Sequence, residues 1–226
     1  MTAPVLRSAR LAADPAVPHG FVAVPDGAPP VWRPRQVHGA RVVRAGRGAR
    51  AAADGALSAD PSLRVGVVTA DCCPLLLASE DGRLVAAVHA GWRGLARGIV
   101  EAAVRAMARA GASPARLRGA VGPAAGGCCY EVGPEVLEAL GLARGTGPGG
   151  RRRIDLRGLL LERLAAAGVA EGRVERVGPC TICSPDWPSY RRQGARAGRA
   201  LAWIAPAAPA GANLSGGGSG RPRERR

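Results

Sequence analysis

The chain is expected to fold as an α/β (or α+β) protein, and three observations carry that expectation. Short apolar, β-branched runs alternate with stretches of helical periodicity. Several of those runs stop abruptly at glycine or proline, as strands entering tight turns do. With 226 residues and 47% hydrophobic content, one sizeable core is within reach and a second independent domain would be cramped. Aromatics are only 3%, so the core must be built from Ala, Val and Leu.

Taken in order, Val37 to Val43 reads as a strand on its valines, and Arg64 to Thr69 as a buried strand on its β-branched run. That run breaks at Ala70-Asp71-Cys72-Cys73-Pro74; Leu75-Leu76-Leu77 and a Glu80-Asp81-Gly82 turn follow. Leu84 to His89 is the next buried strand. After Gly91-Trp92-Arg93-Gly94, the apolar spacing from Leu95 to Ala110 predicts one long helix that Gly111 stops. Arg118 to Val121 reads as a strand. Asp155 caps a second helix with Leu156, Leu159, Leu160 and Leu164 along its stripe, and Gly168 ends it. The Gly-rich stretch 141–150 reads as a loop; Val174 to Val177 and Arg199 to Ile204 read as the last strands. Residues 1–18 are expected to be irregular, 19–205 to form a single domain, and 206–226 (Pro/Ala, then Gly/Ser, then Arg) to be a disordered tail.

The formal charge of +15 comes entirely from arginine, because the chain has no lysine. Schiff-base, P-loop and Ser–Lys chemistries are therefore excluded. The arginines are scattered and accompany a composition biased to Ala, Gly and Pro, so no nucleic-acid partner is expected. The first residues have no apolar core of a signal peptide, and no run approaches the roughly 20 apolar residues of a membrane span. A cytoplasmic protein with reduced thiols is expected, so the six cysteines read as ligands, nucleophiles or small core residues.

Chemistry is confined to few positions, since there are three histidines. His38 and His89 both stand beside glycine at strand ends, and Cys72 stands at another. One Cys and two His supply three donors for zinc and leave a fourth position open, the pattern of a catalytic metal. Pro179-Cys180-Thr181-Ile182-Cys183 matches half of the zinc nucleobase deaminase signature, but no histidine is followed by the H-x-E glutamate, so that reading fails. Cys128, Cys129, Cys180 and Cys183 are read mainly as small buried residues with a redox role in reserve; adjacent side chains at 128 and 129 are expected to diverge. Gly91-Trp92-Arg93-Gly94 opens a helix whose free N–H groups, with Arg93, suit a phosphate or carboxylate.

Several blocks occur in an order that resembles the laccase-domain family, also described as multicopper polyphenol oxidases or YfiH-like purine nucleoside phosphorylases. They are Gln36-Val37-His38-Gly39, Ala53-Asp54-Gly55-Ala56-Leu57, Thr69 to Leu77, Ala87 to Gly94, Gly122-Pro123 with Cys129-Tyr130-Glu131-Val132-Gly133, and Ser189-Tyr190-Arg191-Arg192-Gln193-Gly194. The resemblance implies a four-layer α/β/β/α sandwich of two mixed sheets. It also implies a zinc held by His38, Cys72 and His89, and phosphorolysis of purine nucleosides with adenosine deamination. On that basis Asp71 and Cys72 are the catalytic candidates, with Asp71 moving a proton or orienting a ligand. Gln36, Arg93 and Arg192 are the candidates for nucleoside and phosphate. Copper-dependent phenol oxidation is the alternative, with copper in place of zinc; peptidoglycan-precursor editing and a non-catalytic remnant are further ones. The family's Thr-Arg and following helix have no counterpart between Phe21 and Gln36. Relative to longer members, deamination is therefore expected to be favoured over phosphorolysis unless Arg33 or Arg35 replaces the absent arginine.

Overall fold

A computed structural model describes residues 5–13, 16–23, 29–46 and 50–208. In chain order its first half comprises β1 (Val5–Leu6), α1 (Ala9–Ala12), β2 (His19–Val22), β3 (Val42–Arg44), β4 (Gly55–Ser58), β5 (Val65–Thr69), β6 (Cys73–Ala78), β7 (Val85–Ala90), α2 (Trp92–Ala96) and α3 (Ile99–Arg109). The second half comprises β8 (Arg118–Val121), β9 (Glu131–Val132), α4 (Pro134–Ala139), β10 (Arg152–Arg153), α5 (Leu156–Ala166), β11 (Val174–Arg176), α6 (Tyr190–Gln193) and β12 (Ala200–Ile204).

Two sheets position the site. One has six strands in the order β11-β8-β6-β7-β4-β3, and the other has four in the order β1-β2-β12-β5. The larger sheet is mixed: β11–β8 and β3–β4 run parallel, and the central pairs run antiparallel. The smaller is antiparallel throughout, where two mixed sheets were expected. Strand periodicity explains how they stack. On β6, Leu76 and Ala78 point into a cluster with Phe21, Val65, Val67, Ala202 and Ile204, which joins the two sheets. Leu75 and Leu77 point the other way, into a cluster with Ile99, Val104 and Met107 of α3 and Leu156, Leu160 and Leu164 of α5. These clusters define a helical layer and two sheet layers.

Most predicted strands are present within a residue or two at each end, and three elements differ. Val42–Arg44 is the only strand part of the predicted Val37–Val43 run. Residues 37–39 instead curl around a carboxylate, described below. The long helix is two helices, because Gly98 adopts φ 80° and breaks the hydrogen-bond ladder between α2 and α3. The N-terminal stretch read as irregular contains β1 and α1; Leu11 of α1 is fully buried against the inter-sheet core.

At the far end the packed region runs past residue 205, since Pro206 and Ala207 are buried and the Ala207 N–H donates to the Gly82 carbonyl at 2.9 Å. The rest of the predicted tail, 209–226, lies outside the described residues. No helix among the described residues is long and apolar enough to cross a membrane.

Candidate metal centre

Sheet register brings the three predicted donors together. Cys72 immediately precedes β6, whose Cys73 pairs with Ala90 and whose Pro74 pairs with His89 of β7. The Asp54-Gly55 corner lies beside the same end of β7, where Gly55 pairs with Val88. His38 arrives on the 37–39 loop. The ligand atoms of His38, Cys72 and His89 all lie within 4.8 Å of one another. The two imidazole rings meet edge to face at 4.8 Å. Glycine makes this closeness possible: a Cβ at Gly91 would lie 2.8 Å from Cys72 Sγ and 3.5 Å from His38 Cδ2. Among the described residues, the non-glycine residues with positive φ are His38 (58°) and Asp71 (84°). Both belong to this site, as stored backbone strain often does.

Asp54 organises the centre. It is fully buried, and Oδ1 accepts from His89 Nδ1 at 2.8 Å. The backbone N–H groups of Val37, His38 and Gly39 also donate to its carboxylate, at 3.2, 2.9 and 2.7 Å. This wrapping is what replaces the predicted strand. It also fixes the tautomer of His89, with Nδ1 carrying the proton for Asp54 and Nε2 free to coordinate. Burial opposes ionisation of Asp54, but the bonds from His89 and Gly39 outweigh it and hold the carboxyl below its usual range. Burial likewise disfavours charge on His89 and Cys72. Hydrogen bonding to Asp54 and Cys72 nevertheless raises His89 to about 9, and bonding to both histidines brings Cys72 down to about 6. Cys72 and His89 thus favour a shared proton, and a metal cation would take its place.

The neighbouring thiol behaves differently. Cys73 is fully buried in the helix-side core, and burial pushes its pKa up. Only one of the two adjacent cysteines therefore addresses the site.

His38, Cys72 and His89 form part of the wall of a cavity of about 680 Å³. Arg33, Arg50, Arg93, Arg191 and Arg199 line it, together with Trp92, Tyr130 and Tyr190. The Arg93 guanidinium stacks 4.3 Å from the Trp92 ring centroid, and Arg191 stacks 4.7 Å from that of Tyr130. Tyr190 is 56% exposed. Gln36 also lines the cavity, but its amide is used on the edge strand: Nε2 donates to Val68 O and Oε1 accepts from Val68 N, both at 2.8 Å. Asp71 is buried with both oxygens occupied, Oδ1 by the Thr181 hydroxyl and Oδ2 by the Arg191 N–H, each at 2.7 Å.

Arg192 requires a correction. Its guanidinium donates to the carbonyls of Thr181, Ile182, Ser184 and Trp187, and it pins that turn instead of facing the cavity. The adjacent Arg191 takes the wall position.

Residues 23–207 match the multi-copper polyphenol oxidoreductase laccase family. The chain belongs to that family. A purine nucleoside phosphorylase of Xylella fastidiosa (strain Temecula1 / ATCC 700964) is 37% identical over 192 residues, which cover 77% of this chain and 72% of that protein. Purine nucleoside phosphorylase ORF3 of Streptomyces griseus is 42% identical over 176 residues, covering 74% and 70%. Adenosine deaminase RL5, from an unknown prokaryotic organism, is 38% identical over 149 residues, covering 62% and 57%. Among solved structures, the Bacillus licheniformis hypothetical protein YfiH superposes with a TM-score of 0.71 at 31% identity, covering 76% of this chain and 72% of that one.

In this laccase-family chain the third histidine is not available as a ligand. His19 is buried, its Nδ1 lies 2.7 Å from Val17 O, and its Nε2 accepts the Ser8 N–H at 2.8 Å. The residue that sequence reasoning missed is Asp54. Its signal was an acid directly before the apolar Gly55–Leu57 run, where a carboxylate survives burial only with strong partners.

Proposed function

We propose that this chain is a zinc-dependent enzyme of purine nucleosides, catalysing phosphorolysis and adenosine deamination at the His38–Cys72–His89 centre. The observation that carries the proposal is the convergence of two imidazoles and one thiol on a cavity walled by arginines and aromatic rings. Three nitrogen and sulfur donors with an oriented histidine suit zinc with an open position. When bound, zinc would supply Lewis-acid polarisation and lower the pKa of water.

The chain's own residues supply the rest. Asp54 holds His89 and the His38 loop in place. Arg33, Arg93 and Arg191 give a cationic wall suited to phosphate, and the exposed ring of Tyr190 offers a face for the purine. Asp71 acts as a positioning residue, since both its oxygens are engaged in tying the Cys72 turn to Thr181 and to the start of α6. Two reactions follow: adenosine with phosphate gives adenine and ribose 1-phosphate, and adenosine with water gives inosine and ammonia. The names of the phosphorylase and deaminase relatives support this assignment.

A cluster of several coppers fits poorly, because His38 and His89 are the only histidines left for it once His19 is engaged elsewhere. We place the protein in the cytoplasm, with nucleoside and phosphate as its small-molecule partners. The test is metal analysis of protein purified without added copper, followed by incubation with adenosine with and without phosphate. Zinc together with inosine or free base supports the proposal. Copper together with phenol oxidation and no nucleoside turnover overturns it.

A further inference from the structure

Away from the cavity, four cysteines meet. The Sγ atoms of Cys128, Cys129, Cys180 and Cys183 all lie within 4.8 Å of one another. Cys183 Sγ is 3.5 Å from that of Cys128 and 2.9 Å from that of Cys129. Two sequence expectations fail here. Cys128 and Cys183 are exposed, so they are not small core residues. Cys128 and Cys129 also do not diverge, because they sit in a turn, where successive side chains need not alternate as in a strand. From this cluster we propose a second metal site, in which the four cysteines hold one zinc ion tetrahedrally as a structural staple.

The donor set and its geometry fit. Four thiolates around one zinc, with bonds of about 2.3 Å, place their sulfurs about 3.8 Å apart. The two shortest separations, 2.9 and 3.5 Å, lie below that distance, and no pair exceeds 4.8 Å, so small side-chain shifts bring all four sulfurs to it. A disulfide would require about 2.05 Å, and all four thiols are free. Sulfur-only tetrahedra select zinc or iron among common metals.

The surroundings are prepared as well. The Gly126 N–H donates to Cys180 Sγ at 3.1 Å, the kind of outer bond that steadies a ligating thiolate. A Cβ at Gly126 would lie 3.1 Å from Cys180 Cβ and 3.3 Å from Cys128 Sγ, so glycine lets the two turns close on each other. Four thiolates on a divalent ion leave a net charge of −2. The Arg192 guanidinium is fixed on three carbonyls of the same 181–184 turn that carries Cys183.

The staple joins two turns that both reach the cavity. The 127–129 turn leads into Tyr130. The 181–183 turn starts at Thr181, whose hydroxyl bonds Asp71 and whose N–H donates to Ala124 O at 3.0 Å. A zinc here would brace the cavity wall without touching substrate, and the inference is independent of the nucleoside assignment.

The experiment is metal counting on the full chain, purified under reducing conditions from zinc-containing medium. Wild type is expected to carry two zinc equivalents. Cys72→Ala should keep one, the double variant Cys128→Ser/Cys183→Ser should keep the other, and the combination should keep none. Cobalt(II) added to metal-free Cys72→Ala should give the thiolate-to-metal absorption of a sulfur-rich tetrahedron. Should the serine variant fail to fold, titrating the thiols of Cys72→Ala with a mercurial gives the same information, with its one zinc released as these four sulfurs react. A Cys72→Ala protein that binds neither zinc nor cobalt overturns the proposal, as does a Cys129–Cys183 disulfide found by mass spectrometry in protein kept under reductant.

Discussion

Asp54 Oδ1 lies 2.8 Å from His89 Nδ1, and the same carboxylate gathers the backbone N–H groups of residues 37–39. One side chain thereby sets the direction of one metal ligand and the path of the loop that carries another. Asp54→Asn keeps the size of the residue but removes its charge and puts an amide N–H among donors. Loss of an outer partner of this kind weakens metal binding about 10- to 100-fold. Zinc competition against a chromophoric chelator measures it; an unchanged affinity would show that the centre organises itself without Asp54.

The two adjacent cysteines should separate cleanly on substitution. Cys72→Ala is expected to remove the cavity metal and nucleoside turnover while leaving the fold intact. Cys73→Ala should keep both and lose stability, by about 1 kcal/mol for the small void it leaves in the helix-side core. Metal analysis beside a denaturant titration reads both outcomes. Loss of metal in Cys73→Ala would contradict the facing assigned to these residues.

Phosphate handling should depend on Arg33. Arg33 stands on the cavity wall where Arg35 does not. Removing a charge-assisted pair costs about 1.5–3 kcal/mol, or roughly ten- to a hundred-fold in phosphate affinity. Arg33→Ala should therefore raise the phosphate KM by that factor and shift products from free base toward inosine, with zinc content unchanged. An unaltered product ratio at limiting phosphate would remove Arg33 from the account.

His19 should make stability fall on acidification. Its Nε2 accepts the Ser8 N–H, so the native state needs the neutral ring. Burial, chiefly, holds its pKa below the ordinary 6.5; the Val17 carbonyl and Glu175 oppose this, while Arg7 and Arg118 add to it. The unfolded chain takes up a proton near 6.5 and the folded chain does so only lower. Stability is therefore full above 6.5 and declines as pH falls from there toward the folded value. His19→Gln, which retains an acceptor, should flatten the slope of melting temperature between pH 7.5 and 5.5. An identical slope in both proteins would refute the role.

The sequence made the sheet frame legible wherever burial is two-sided, since β5 and β7 are near-continuous apolar runs that only a covered sheet accommodates. The convergence of His38, Cys72 and His89 was legible because so few histidines exist to choose from. What could not be read was whatever depends on non-local polar contact. The valines at 37, 42 and 43 look alike in sequence, yet Val37 is exposed because its N–H serves Asp54 across the fold. Arg191 and Arg192 are equivalent as letters. One faces the cavity and the other points into a ring of carbonyls, because α6 rotates adjacent side chains apart. The four cysteines, 51 to 55 residues apart across the two turns, become neighbours only through the Ala124–Cys180 bridge.

The central claim is that His38, Cys72 and His89 form a zinc centre on which nucleoside chemistry depends. The most direct measurement is the rate of adenosine consumption, at saturating phosphate, by zinc-loaded wild type and by Cys72→Ala, with products separated by chromatography. The account predicts inosine, adenine or both from wild type and a loss of at least about 100-fold in the variant, the scale of removing a metal's contribution to the barrier. Turnover by Cys72→Ala at the wild-type rate, or no turnover by wild type carrying zinc at this centre, would contradict it.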